Sequence, residues 1–222
     1  MMISPEIFYE MELKGKSADE IQSKIRRLKN EIGRLKSIIE SQETNLEPFT
    51  CPLPSTRLAC NRLYLARAKQ ALFDAGGKYK LSQQEKRVQS FDESIPFIEQ
   101  IDFSYGGYFY GYEYRTITIS KENVSLDVNY VLQKTEDKKP FFREFPSMKK
   151  DFLEAFAYLH IGEWKTTYNN CSVMDGTSWY LTIRFGNGHR KVKKEGSNAY
   201  PYNFDDFYEL MKLEENDEFS CE

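Results

Sequence analysis

From residue 21 the apolar positions fall at Ile21, Ile25, Leu28, Ile32, Leu35 and Ile39. The steps alternate four and three, the spacing that keeps one seam of a helix facing a partner in a coiled coil. Ser17-Ala18-Asp19-Glu20 stands just ahead. It reads as a capping box, in which the serine and the glutamate satisfy each other's open backbone N–H groups. The pattern predicts a helix over 17–40. A second seam, Leu58, Leu65 and Leu72, predicts a helix capped by Ser55, reaching Ala75 and stopped by Gly76-Gly77. Between the two lies a loop containing Pro48, Pro52 and Pro54. Two seams of similar length on a short linker predict an antiparallel hairpin over 17–75. Ser4 and Pro5 open a short helix over 4–13 that Gly15 ends, and Ser82-Gln83-Gln84-Glu85 opens another towards Phe91.

At Pro96 the period shortens towards two. Strands are expected near 98–105, 109–119 and 123–132, with turns at Gly106-Gly107 and at Lys121 to Asn123. A charged loop spans Thr135 to Pro140. Ser147 is placed to cap a helix whose apolar face is Phe152, Phe156 and Leu159, with Trp164 anchoring its far end. Asp175-Gly176 turns the chain. Trp179, Leu181, Ile183 and Phe185 then alternate with Tyr180, Thr182 and Arg184, which predicts a strand with the first set towards a core. Asn187-Gly188 is the preferred pair for a two-residue type I′ hairpin turn. The return strand is expected over 190–195, with Gly196 breaking it and Asn203 capping a closing helix over 204–213.

The fold class that follows is α+β. An antiparallel helical hairpin, coiled-coil-like, lies within a helical region over 1–92. A small antiparallel β-sheet domain with packed helices spans 97–215, and 216–222 is a frayed acidic tail.

Charge supports this division. The whole chain of 222 residues carries −3, but 13–90 carries +8 and 91–222 carries −8. No stretch of about 18 apolar residues exists, and the first residues lack a basic segment followed by an apolar one. A cytoplasmic protein without membrane spans is expected. The four cysteines, Cys51, Cys60, Cys171 and Cys221, form no CxxC pair. Reduced thiols are expected in that compartment, which disfavours a Cys51–Cys60 disulfide.

Little points to catalysis. No GxSxG, HExxH, Walker A or GxGxxG pattern is present. His160 and His189 have no ligand-type neighbour at metal spacing. Asp205-Asp206 sits where acidic residues complement a helix dipole. No catalytic residue, metal ligand or cofactor is assigned, and a hydrolase or nuclease with an unrecognised site is the remaining enzymatic reading. Two binding surfaces stand out. Charges encircle the helix over 17–40, but Arg62 and Lys69, seven apart on the second helix, share one face and are nucleic-acid-binding candidates. In 108–119, Tyr108, Tyr110, Tyr112, Tyr114, Thr116 and Thr118 share one face of a strand. Phe109, Gly111, Glu113, Arg115, Ile117 and Ile119 share the other. The apolar end of the second set calls for burial, which leaves the tyrosines outward as protein-binding candidates. The alternatives are that the tyrosines cover a helix or that a bulge at Gly111 switches the faces.

Several segments taken together, SPEIFYEMELKGK with IRRLKNEIGRLK, STRLACNRLYLARAKQAL, LHIGEW, and DGTSWYLTIRFGNG with GSNAYPYNF, resemble a family of uncharacterised proteins from anaerobic Gram-positive bacteria. Some of its members are carried on mobile elements. The resemblance implies a bacterial cytoplasmic protein and this fold. It carries over no functional residues. The leading expectation is a non-catalytic protein-binding or regulatory module, as in an accessory or counter-defence protein of a mobile element. The alternative is a nucleic-acid-associated protein using the basic hairpin.

Overall fold

A computed structural model describes residues 3–41, 52–131, 138–173 and 175–215. The chain divides into two units, Met1–Ser82 and Gln83–Glu222.

The first unit is helical. Helix α1, Pro5–Glu12, starts on Ser4, whose hydroxyl accepts the Ile7 N–H. Helix α2, Ala18–Glu40, opens on the expected capping box. Helix α3, Pro54–Asp74, begins earlier than expected. Leu53, not Ser55, occupies the cap position, and Pro54 is the first helical residue. Proline suits that position because it has no N–H to leave open and its φ is already helical. The early part of α2 (Ile21, Ile25, Leu28) packs with the late part of α3 (Ala68, Ala71, Leu72), while Glu31 further along α2 pairs with Arg57 near the start of α3 at 2.8 Å. The hairpin is therefore antiparallel. Of the expected second seam, Leu58 and Leu72 are buried and Leu65 is half-buried. Ala68 and Ala71 are buried in this core instead, small side chains on the face that α3 turns to it. Phe8 of α1 stacks on Tyr64 at 4.5 Å, and Tyr64 Oη both receives the Ile3 N–H and donates to the Ile3 carbonyl. The loop prolines 48 and 52 differ in status: Pro48 lies outside the described residues, as do Cys51 and Cys221. Among the described residues Cys60 and Cys171 form no disulfide.

The second unit begins with α4, Gln83–Asp92, and a 3-10 turn at Ile95–Phe97 that redirects the chain into the sheet. Its strands are β1 (Ile98–Gly107), β2 (Gly111–Ser120), β3 (Asn123–Val131), β4 (Phe141–Phe145), β5 (Thr167–Asn169), β6 (Ser178–Phe185) and β7 (Val192–Ser197). Helix α5, Lys149–Tyr158, follows β4, and α6, Phe204–Met211, closes the unit. The sheet order is β4-β3-β2-β1-β6-β7-β5, antiparallel throughout except for β5 beside β7. Apolar side chains of one sheet face (Ile101, Ile117, Leu126, Leu181, Ile183) form a single core with Phe152 and Phe156 of α5 and Phe207 and Met211 of α6. The helices cover that face only. Among the described residues no helix is long and apolar enough to cross a membrane.

Several local expectations are corrected. Gly106 and Gly107 do not turn. They extend β1, with Gly107 opposite Gly111, and the turn is Tyr108 to Tyr110. Ser147 does not cap α5. It adopts φ +59°, and Met148 precedes the helix with no side-chain cap. Asn187-Gly188 is not a two-residue turn. The last pair between β6 and β7 is Ile183 with Val192, so the loop is longer; only Gly188 of the two has positive φ, and Asn187 Oδ1 accepts the His189 N–H. The chain leaves the ladder early because the Gly186 N–H bonds the Phe97 carbonyl beside the start of β1. The return strand is Val192–Ser197, and Gly196 lies inside it. Asn203 precedes α6 but its side chain is used elsewhere, accepting from Trp164 Nε1 at 2.9 Å and donating to the Leu159 carbonyl at 2.6 Å. The strands β4 and β5 carried no clear alternating signal. The charged loop expected at 135–140 lies largely outside the described residues.

Candidate functional site

The sheet face opposite the helices is open. The register sets its side chains in rows across the strands. One row is Asn129, Tyr114, Ser104, Tyr180 and Glu195. The next, towards the β1–β2 turn, is Val131, Tyr112, Gly106, Ser178 and Ser197. The row on the other side is Asp127, Thr116, Asp102, Thr182 and Lys193. Asp102 is the polar hub. It receives Arg184 Nη1 at 2.6 Å, Gln100 Nε2 at 2.6 Å and the Thr116 hydroxyl at 3.4 Å.

Tyr112, Tyr114, Thr116 and Thr118 alternate outward along β2 while Glu113, Arg115, Ile117 and Ile119 are buried. The four candidate tyrosines are therefore not one ladder. Tyr112 and Tyr114 stand on the strand, their rings 6.4 Å apart. Tyr108 and Tyr110 project from the turn with Phe109, and are 80% and 77% exposed. Gly111, at φ +77°, lets the chain re-enter the strand without reversing the alternation that follows. The whole run from Phe103 to Tyr112 has no charged residue. Tyr180 on β6 and Phe142 on β4 add exposed rings that the sequence had not singled out. At the far end of the same strands a cleft of about 670 Å³ is lined by Glu99, Gln100, Thr118, Lys121, Lys149 and Arg184, among others.

Beneath the tyrosines, on the core side, lies a cluster also missed from sequence. Arg115 is held by Glu113, by both carboxylate oxygens of Glu214 (2.7 and 2.8 Å) and by the Met211 carbonyl (3.0 Å). The signal was present in β2: two charged residues on the parity of buried isoleucines must be paired to be tolerated. Burial first, then Glu113, pushes the nearby Tyr208 phenol up to about 12. Lys194 is held below the ordinary lysine range by burial and donates to the Trp164 carbonyl.

Arg62 and Lys69, the nucleic-acid candidates, are half-buried on α3. Lys69 Nζ sits 4.4 Å above the Tyr79 ring, whose hydroxyl also receives Lys29 at 3.1 Å. His189 packs edge-on against Phe185 at 4.7 Å, and His160 follows α5 at φ +49°. Among the described residues no group of three His, Cys, Asp or Glu is arranged to hold a metal ion.

One perturbed carboxyl stands apart. Burial, then the charges of Glu163 and Glu93, raises Asp92 to about 6. A carboxyl that binds its proton more tightly when folded loses stability as pH rises from the unfolded value, near 3.8, through 6. Asp92→Asn is thus expected to raise the melting temperature at pH 7 and leave it unchanged at pH 3.5. The side chain is partly solvated, so the gain is about 1 kcal/mol or less. Equal gains at both pH values would count against this linkage.

The chain matches no family model, and no curated protein or solved structure is significantly similar to it.

Proposed function

We propose that the second unit is a non-catalytic protein-binding module whose contact surface is the open sheet face together with the aromatic turn. One observation carries this reading: Tyr108, Phe109 and Tyr110 are exposed in succession and continue onto the face through Tyr112 and Tyr114. Holding five rings in or near water is unfavourable unless another surface covers them. Tyrosine suits that use, since it buries a large area with few rotors and keeps a hydroxyl for polar contact. Asp127, Glu144 and Glu195 flank the rings on the same face, which favours a partner whose apolar patch has a basic rim. The same acidity, with −8 over 91–222, disfavours a nucleic acid. The resemblance to a bacterial family supports a cytoplasmic regulatory or accessory role, as on a mobile element.

The test is affinity capture from bacterial extract by the whole chain and by its Tyr110→Ala, Tyr112→Ala variant, with and without nuclease. Each ring at a binding hot spot is worth about 2 kcal/mol. The variant is expected to keep its melting temperature and to lose its partner, regardless of nuclease. Capture that disappears with nuclease and follows Arg62 and Lys69 instead would replace this reading with the nucleic-acid one.

A further inference from the structure

At the end of the sheet away from the tyrosine turn, β1 and β2 part. Their ladder stops at Gln100 opposite Thr118, yet both strands run on. Ile98 continues beside Phe185 of β6, while Ile119 and Ser120 continue beside Val124 and Asn123 of β3. Glu99 is the extra residue of a bulge in β1, and such a bulge bends its strand. The gap left between the strands is the cleft of about 670 Å³, a size that suits a small molecule. One wall is the end of β2 with the start of α5. The other is the 3-10 turn, the start of β1 and the end of β6. Lys121 and Lys149 belong to the first wall. The Lys149 N–H bonds the Glu122 carbonyl at 3.1 Å, which sets the start of α5 against the turn that carries Lys121. Among the described residues neither ammonium group has an ion-pair partner, and no carboxylate lines their wall. Over 91–222 the chain carries −8, so two unanswered lysines in one cleft depart from the surface around them. On the second wall Phe97 is 52% exposed. Arg184 gives Nη1 to Asp102 at 2.6 Å, which fixes its side chain and leaves Nε and Nη2 to donate. Glu99 lies along Gly186, where a Cβ would overlap its carboxylate.

We infer that this cleft binds a mononucleotide, with its phosphate on the lysine wall and its base on the phenylalanine wall. Two ammonium groups without a carboxylate call for an anion of more than one charge, and a phosphate monoester carries nearly two at neutral pH. The exposed Thr118 and Ser120 hydroxyls stand on the same wall and donate to the remaining phosphate oxygens. A free phosphate would use that wall alone. The opposite wall adds what a phosphate does not need. Phe97 offers a ring on which a base stacks. Glu99, an acceptor only, suits the hydroxyls of a ribose, and its charge sits on the wall away from the lysines. The cleft and the tyrosine turn lie at opposite ends of the strands, and the proposal does not depend on the protein-binding reading.

Titration calorimetry on the whole chain tests this with the common ribonucleoside monophosphates, their nucleosides and inorganic phosphate. At least one monophosphate is expected to bind with a Kd below about 1 mM. Its nucleoside, lacking the charge, and inorganic phosphate, lacking the ring, are each expected to bind at least about tenfold more weakly. Lys121→Gln with Lys149→Gln is expected to weaken the monophosphate at least about tenfold with the melting temperature unchanged, since neither ammonium is paired. Phe97→Ala is expected to weaken it about tenfold and to leave inorganic phosphate unaffected. Thr118→Glu puts a carboxylate at an exposed position of the lysine wall. It is expected to abolish binding, and it decides the matter if the lysine pair proves unstable. No saturable binding of any monophosphate would overturn the proposal, as would inorganic phosphate bound as tightly as the nucleotide. So would binding that survives these variants and is lost instead with Arg62→Ala and Lys69→Ala, which would move the site to α3.

Discussion

Replacing Arg115 by alanine is expected to destabilise the second unit by about 3–5 kcal/mol, read as a fall in its urea midpoint. The guanidinium is 3% exposed and grips Glu214 with two parallel hydrogen bonds while holding Glu113 on its other side. Its removal leaves two carboxylates near each other in a largely buried site, with Lys138, 3.8 Å from Glu113, and the charge of Lys212 near Glu214 to offset them only in part. Most of the loss comes from that uncompensated charge, so replacing Arg115, Glu113 and Glu214 together by leucine should recover much of it. The pH dependence is a second readout. Burial alone would raise Glu214, but the hydrogen bonds from Arg115 outweigh it and hold the carboxyl below its ordinary 4.5. A depressed carboxyl binds fewer protons folded than unfolded. Its contribution is present above pH 4.5 and is lost as pH falls through the folded value. The gap between wild type and Arg115→Ala should therefore narrow below that pH. A constant gap down to pH 3 would mean that packing, not charge, carries the effect.

Gly196→Ala is the second large effect expected, at about 3 kcal/mol, the upper end of the range for overpacking a core. Gly196 lies opposite Trp179 in the β6–β7 ladder. A Cβ there would overlap the Trp179 indole nitrogen and come within 2.6 Å of the Ala199 carbonyl oxygen. Those two groups are joined by a 3.0 Å hydrogen bond that the added methyl would break. Trp179 is fully buried, 5.1 Å from Phe204, 5.9 Å from Tyr168 and 6.0 Å from Trp164 by ring centroids, so a shift of the indole disturbs the contact of α6 with the sheet. The near-ultraviolet circular dichroism of the tryptophans should weaken along with the melting temperature. Adding Trp179→Phe to Gly196→Ala should restore part of the stability by vacating the overlap. An unchanged spectrum in the single variant would show that the backbone gives way instead.

The sequence by itself determined the elements whose signals are local. Ser17 and Glu20 are close enough in the chain to cap each other, so the start of α2 needed no further information. Trp179, Leu181, Ile183 and Phe185 alternate because one face of β6 must be buried, and a shift by one residue would have exposed all four. The same parity in β2 placed Tyr112 and Tyr114 outward and set Glu113 and Arg115 among buried isoleucines. What the sequence left open is what those two charges pair with, since Glu214 is 99 residues away from Arg115.

Only the tertiary structure decided the positions where a local preference is overruled by a distant group. Asn203 has a side chain suited to capping α6, yet spends it on Trp164 and Leu159, because a buried indole N–H and a carbonyl at a helix end leave larger costs if unmet. Asn187-Gly188 favours a tight turn, yet the ladder ends early because the Gly186 N–H finds the Phe97 carbonyl. Gly196 reads as a strand breaker, yet it is the one residue small enough to lie over Trp179 inside the strand. β4 and β5 are five and three residues long, too short to show a period, and exist because β3 and β7 offer unpaired edges. In each case the deciding energy comes from burying polar groups and rings that meet only once the chain has folded.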